Sequence, residues 1–290
     1  MLFYTVCHIN RLPEAIVLGN SIKAHHPESS YFIGLLDKKD RIADLSNIKY
    51  PLVEVDELGI TDFEKMCQQY TWDELAANCK PFFARYFLQQ SDKVVYLDCT
   101  SLVYSTFNFV EQQLIENNIL LIPQLLHAGK HPDEKQILNT GIFHSGFFAL
   151  KNTAESFRFL DWWANNTAQK GFTELCKGLN ADQLWLEHVP ALYDGVHILK
   201  HDGLNIGYWN LPERTIDASR SKANGQQIVS VNFKGMKYWP EYKRQISSYN
   251  LPVMAPIYGK PNPKVKKNAQ LIANNIRKIN SFIDKIIDQI

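Results

Sequence analysis

A chain of 290 residues, 45% of them hydrophobic, is long enough to bury the core of one large α/β domain or two small ones. Its formal charge of +1 provides no global field for nucleic acid, so nucleic-acid partners are not expected. The five cysteines, Cys7, Cys67, Cys79, Cys99 and Cys176, are odd in number and never spaced as Cys-x-x-Cys, which argues against a zinc ribbon or a disulfide framework and fits a reducing compartment.

The chain opens on an apolar run, Leu2 to Val6, without a basic leader, and no apolar run in it is long enough to span a bilayer. The expectation is a cytoplasmic protein, in solution or at the inner face of the membrane. Pro13 to Ile22 has helical spacing, with Pro13 suited to a first turn. Tyr31 to Asp37 then reads as a second buried strand ending on an acid. Strand, helix and strand in this order predict a parallel pair joined by a right-handed crossover. No Gly-x-Gly-x-x-Gly or Gly-Lys-Ser/Thr accompanies them, so neither a dinucleotide fold nor a phosphate loop is supported. The adjacent His25 and His26 point different ways on a helix and predict a helix end, not a metal site. Ile48 to Val55 predicts a third strand near a sheet edge, because Pro51 interrupts it. Asp62 to Gln90 reads as helices with an apolar face through Leu75, Cys79, Phe83 and Phe87.

Lys93 to Leu97 lacks polar alternation, the pattern of a strand buried on both faces. Asp98 follows at its carboxyl end, where open α/β sheets bind ligands; it either meets a ligand there or only caps the next turn. Phe107 to Asn117 predicts a helix and Ile119 to Pro123 a short strand. His127 and His131 are spaced as a ligand pair, but Gly129 lies between them and Pro132 follows, so a polar loop, a candidate lid, is expected instead. Ser145 and Gly146 precede an apolar run and let the backbone approach a ligand closely. His144 beside them adds a group that titrates near neutrality, either structural or catalytic. Trp162 and Trp163 sit on a helical apolar face and are expected in the core. Gly259 to Pro263 reads as a linker. Beyond it, Ile272, Ile276, Ile279, Ile283, Ile286 and Ile290 predict an amphipathic helix that docks on its own domain, forms a dimer contact or lies on an anionic membrane.

Several of these stretches share a pattern. Tyr96-Leu97-Asp98, Lys80-Pro81-Phe82 on the helix before it, and Asn180-Ala181-Asp182-Gln183 stand in one order with Asn205 to Arg214, which includes Tyr208-Trp209-Asn210-Leu211. The run Asn232 to Trp239 closes the series. Together they resemble the motifs of GT-A fold nucleotide-sugar glycosyltransferases, especially the glycogenin and galactosyltransferase-like group and bacterial surface-polysaccharide enzymes. The resemblance implies an α/β fold, GT-A-like (Rossmann-like), with a mixed central sheet flanked by helices and a C-terminal helical appendage. The domain would cover residues 1–258, with a nucleotide-binding half (1–105) and an acceptor half (106–258), and the linker and helix residues 259–290.

The implied activity is transfer of a hexose-type sugar from a nucleotide-diphosphate donor, a UDP-sugar first, to a saccharide or lipid-linked saccharide acceptor. Capsule, O-antigen or other surface-polysaccharide synthesis is the implied setting. By the same resemblance Thr5, Asn10, Lys80, Asp98, Thr100 and Lys237 bind the donor, the lysines by balancing diphosphate charge. Ser145, Gly146, Gln183 and Asn205 bind the sugar or acceptor, and Asp182 and His144 are the catalytic candidates. Arg85 is a weaker basic candidate, and the alternative for Asp182 is capping of a helix start. A divalent cation, Mn or Mg, is implied, with Asp98 and Asn232 as ligands. Thr100 stands where a second acid is usual and Asn232 where a histidine is usual, and both are poorer ligands. Weak metal use, none, or a non-catalytic nucleotide-sugar or glycan binder with a degenerate metal site are therefore all open.

Overall fold

The unalternated apolar runs become the middle of one sheet. In this computed structural model the described residues are 1–261 other than 47, 130–133, 237–239, 250 and 252–253, with only the backbone of 134–136. His131, Lys237 and the helix expected after residue 263 lie outside the described residues.

The chain begins β1 (Leu2–Cys7), α1 (Leu12–His25), β2 (Ser30–Leu35) and β3 (Leu52–Glu54). Two helices, α2 (Phe63–Gln69) and α3 (Trp72–Leu88), lead to β4 (Lys93–Leu97) and β5 (Ser101–Val103). Then come α4 (Asn108–Glu116), β6 (Ile119–Pro123), α5 (Glu134–Thr140), β7 (Phe143–Lys151) and α6 (Ala154–Lys170). Short pieces follow: β8 (Thr173–Glu174), β9 (Leu179–Asn180), α7 (Val189–Leu192) and β10 (Val196–Ile198). The last are β11 (Ile216–Asp217), β12 (Lys222–Ala223), β13 (Gln226–Gln227), β14 (Ser230–Asn232) and α8 (Pro240–Ser247).

Seven strands form the main sheet in the order β10-β6-β7-β4-β1-β2-β3, so residues on both sides of position 105 share it. β1 is parallel to β2 and β4, and β2 to β3, as the opening pattern predicts. β3 is the edge strand and starts only after Pro51, shorter than the expected run from Ile48. β7 runs antiparallel to β4 and β6. That reversal brings the start of β7 to the edge where β1 and β4 end, and Asp98 N–H bonds the Gly146 carbonyl there at 3.0 Å. β5 leaves the main sheet and pairs antiparallel with β14, setting Asn232 opposite Ser101.

Helices cover both faces of the sheet. Residues of α3 and α6 pack with Tyr4, Tyr96 and Phe148 on one face; residues of α1 and α4 pack with Phe3, Val95 and Phe147 on the other. α3 begins with a capping box: the Thr71 hydroxyl accepts from Glu74 N (3.3 Å) and the Glu74 carboxylate from Thr71 N (3.0 Å). Pro81 inside it lacks the N–H that would bond the carbonyl four residues back. Lys260, expected in the linker, bonds the strand-like segment before α3: Trp72 N donates to its carbonyl and its N donates to Tyr70 O, both at 2.8 Å.

Trp163 is fully buried as expected, stacked on Phe159 and edge-on to Phe148, whereas Trp162 is half-buried against Trp185. The Trp163 indole N–H donates to the Asp182 carbonyl at 2.9 Å. Trp163→Ala is expected to cost about 3–5 kcal/mol in equilibrium urea unfolding; a change below about 1 kcal/mol would show the site to be loosely packed.

Candidate active site

Three charged side chains from three segments meet at the carboxyl edge of the sheet. Asp98 follows β4, Lys80 comes from the middle of α3, and Asp182 follows β9. All three are nearly inaccessible, at 7%, 4% and 3% exposure. The Lys80 ammonium lies 3.0 Å from Asp182 Oδ2 and 3.5 Å from Asp98 Oδ1. It also donates to the Ser145 carbonyl (3.1 Å) and hydroxyl (3.2 Å) at the start of β7. An ammonium has three protons, so these acceptors occupy it. Lys80 is thus neither a solvated surface lysine nor free to face a diphosphate in this arrangement; it holds two carboxylates together.

Local backbone aims Asp182 inward. Ala181 takes a left-handed φ of 43° and its N–H bonds the Phe172 carbonyl at 2.9 Å, a conformation that costs an alanine roughly 1–2 kcal/mol. Asp182 caps no helix; the cap position of the short turn that follows belongs to Gln183. Gln183 instead accepts from Ser145 N (3.2 Å) and donates to Thr140 O (2.8 Å), tying this segment to β7.

A chain of neutral hydrogen bonds borders the acids. The backbone N–H of Lys234 can only donate, and it lies 3.0 Å from Asn232 Oδ1, which fixes the amide orientation. Thr100 also donates to Oδ1 at 2.8 Å. Asn232 Nδ2 then faces Asp98 Oδ2 (3.2 Å) and Asn205 Oδ1 (3.4 Å). Asn205, at a left-handed φ of 49° that asparagine tolerates, directs its Nδ2 to His144 Nδ1 at 3.1 Å. The Gly146 N–H donates to the same nitrogen at 3.0 Å, so His144 carries its proton on Nε2. Its ring stacks on Trp209 with centroids 4.0 Å apart. Only glycine fits at 146: a Cβ there would lie 2.7 Å from Asp98 Oδ2 and 2.5 Å from His144 Cε1.

These contacts set the charges. Burial opposes ionisation of Asp98, but Lys80, Lys234 and the Tyr96 hydroxyl (2.9 Å) together hold its carboxyl well below the usual range. Burial raises Asp182, against the pull of Lys80. Asp98 raises Lys234 above its usual value against the opposing effect of burial, with Asp182 and Asp73 adding to the rise. Burial pushes His144 down to about 3, so the histidine expected to titrate near neutrality stays uncharged.

The structure thus gathers Lys80, Asp98, Thr100, His144, Ser145, Gly146, Asp182, Gln183, Asn205 and Asn232 into one cluster. It does not gather Thr5, which alternates with Phe3 and Cys7 and is buried on the α1 face, away from Asp98. Asn10 is exposed in the turn after β1, and Arg85 is exposed and paired with Asp161 at 2.8 Å. Lys234 is the basic residue that sequence reasoning passed over, in favour of Lys237 three positions on. A second omission is His8, buried at the end of β1 with Nε2 3.5 Å from Asp73 and its ring 6.0 Å from Trp72. The polar loop at His127 finds an unforeseen acid: His127 Nε2 lies 2.8 Å from Asp202.

No family model matches the chain. It is 21% identical over 285 residues to the uncharacterised protein YfnF of Bacillus subtilis (strain 168), covering 93% of this chain and 94% of that one. YfnD of the same organism is 22% identical over 213 residues, 72% of this chain and 68% of that one. Among solved structures, the galactosyltransferase LgtC in complex with donor and acceptor sugar analogues superposes with a TM-score of 0.53 at 13% identity, over 89% of this chain and 98% of LgtC. An active-site mutant of LgtC gives 0.54, also at 13% identity, over 88% and 98%.

The fold is the GT-A glycosyltransferase fold.

GT-A neighbours often use divalent metal ions, and the donor set here does not fit one. Asp98 Oδ1 takes Tyr96 and Lys80, and Oδ2 takes the Asn232 amide N–H₂. Asn232 Oδ1 takes Thr100 and Lys234 N–H, and His144 Nδ1 takes two N–H donors. Among the described residues no group of three His, Cys, Asp or Glu could hold a metal ion.

Lys80→Met leaves two buried carboxylates without their cation and is expected to cost about 3–5 kcal/mol in urea unfolding; retention of wild-type stability would show the pair to be solvated. For His144 the unfolded chain takes up its proton near 6.5 and the folded chain only near 3. Its contribution is therefore complete above the unfolded value and lost as pH falls toward the folded one. His144→Gln is expected to lose less stability than wild type between neutrality and about pH 4; parallel losses would contradict the assignment.

Proposed function

We propose that this chain is a glycosyltransferase that moves a hexose-type sugar from a nucleotide-diphosphate donor, a UDP-sugar, to a saccharide or lipid-linked saccharide acceptor in bacterial surface-polysaccharide synthesis. The observation that carries this reading is the convergence of Lys80, Asp98, Ser145, Asp182, Asn205 and Asn232 at the carboxyl edge of the sheet. In open α/β sheets that edge is where ligands bind. The GT-A fold, shared with a galactosyltransferase solved with donor and acceptor analogues, supports it.

The chemistry asked of the site is one exchange of bonds at the anomeric carbon. The bond to the diphosphate oxygen breaks and its electron pair leaves with the diphosphate; a bond to the acceptor oxygen forms, and the acceptor hydroxyl gives up its proton. In this reading Asp182, whose pKa burial raises, lies at the reacting centre and takes that proton. Asp98 and Asn205 offer the acceptor and amide atoms that sugar hydroxyls need. Ser145, Gly146 and Gln183 shape the sugar side of the crevice, and uncharged His144 with Trp209 forms its wall.

Asp182→Asn keeps the shape and removes the charge, and is expected to lower transfer from UDP-sugars by about 10²–10³-fold with an unchanged circular dichroism spectrum. Turnover within about threefold of wild type would remove Asp182 from the reacting centre. If wild type binds nucleotides yet turns over no sugar in a panel of UDP-, GDP- and ADP-sugars, the chain is a non-catalytic binder.

A further inference from the structure

The disagreement between this site and a divalent cation is itself informative, because the same residues supply positive charge of their own. A hard cation needs about six oxygen ligands. Here the Asp98 oxygens and Asn232 Oδ1 already accept from Tyr96, Lys80, Thr100, Lys234 N–H and Asn232 Nδ2, and the oxygen of the acid pair left buried without a hydrogen bond, Asp182 Oδ2, faces the Lys80 ammonium at 3.0 Å. Asn232 is the decisive residue. The obligate donor at Lys234 N turns its oxygen away from Asp98 and its N–H₂ toward Asp98, so a donor stands where a metal ligand would have to be an acceptor. Seating a metal between these acids would require turning that amide and displacing Lys80 from two buried carboxylates, leaving a buried ammonium with only the Ser145 oxygens.

Lys234 stands next to this arrangement, its backbone N–H on Asn232 Oδ1 at 3.0 Å. It is exposed, it begins the turn after β14, and its neighbour Phe233 is pinned by an N–H bond to the Thr100 carbonyl at 2.9 Å. The pairing of β14 with β5 thus carries a lysine beside the Asn232 contacts to Asp98 and Thr100.

We propose that Lys234, with the turn that holds Asn232, takes the place of a divalent ion in this chain, opposing the diphosphate of the donor so that nucleotide binding and transfer need no metal. The inference rests on the transferase reading and adds to it how the leaving diphosphate is stabilised. When the bond to the anomeric carbon breaks, the electron pair stays on the diphosphate oxygen, and an ammonium there opposes the growing charge.

The test uses the full-length protein with UDP as the probe. UDP affinity is measured by calorimetry in excess EDTA and in millimolar manganese chloride, and free manganese is followed by electron paramagnetic resonance with and without UDP. The expected result is UDP affinity within about threefold in the two buffers and no manganese taken up by the protein alone. Lys234→Gln is expected to weaken UDP binding by about tenfold or more at unchanged thermal stability, with Lys234→Arg restoring most of it. UDP binding that appears only with manganese, manganese uptake by the nucleotide-free protein, or a Lys234→Gln variant that binds UDP like wild type would overturn the inference while leaving the transferase reading intact. Failure of UDP, ADP, GDP and CDP to bind in either buffer would overturn both.

Discussion

A lysine ammonium sealed between two aspartates holds this crevice in shape. Lys80 belongs to a helix, Asp98 to the end of a central strand and Asp182 to a strained loop, and the ammonium opposes the cost that burial puts on the charge of both acids. Its further bonds to Ser145 draw in the start of β7. The sheet prepares this meeting: because β7 is reversed, its first residues arrive at the same edge as the last residues of β4. Packing on the α3 face, with Tyr4 bonding the Lys80 carbonyl at 3.4 Å, keeps the helix seated.

Around that core the site is neutral and directional. Thr100, Asn232, Asn205 and His144 are joined by hydrogen bonds, and backbone donors that cannot do otherwise orient two of them, Asn232 and His144. Such a network is worth most when every member is satisfied, and it specifies one arrangement of side chains. Its ends differ in charge: His144 is buried and uncharged, whereas Lys234, beside Asn232, is held cationic by Asp98.

Much of this was legible in the letters. Apolar runs without alternation located β1, β2, β4 and β7, and the opening strand-helix-strand gave the parallel order. The GT-A resemblance selected Asp98, Lys80, Asp182, His144, Asn205 and Asn232, which do converge. The rest depended on contacts between distant residues. Asp37 and Asp98 look alike as acids closing buried strands, yet Asp37 clasps Ile9 N and Ile257 N, each at 2.8 Å, and is structural. Thr5 falls outside the cluster because strand alternation puts it on the face of Phe3 and Cys7, opposite Tyr4. Lys80 reads as a free cation in sequence, since its two partners lie 18 and 102 positions away. Lys234 went unremarked because its meaning comes from the pairing of β14 with β5.

The account stands or falls on where a donor sits. The direct measurement is a crystal structure of the protein with a non-hydrolysable UDP-hexose analogue. The account expects the diphosphate beside Lys234 and the sugar ring against Asp98, Asp182 and Asn205, with the Lys80 ammonium still between the two carboxylates. An analogue bound on another surface, with this crevice filled only by water, would contradict it.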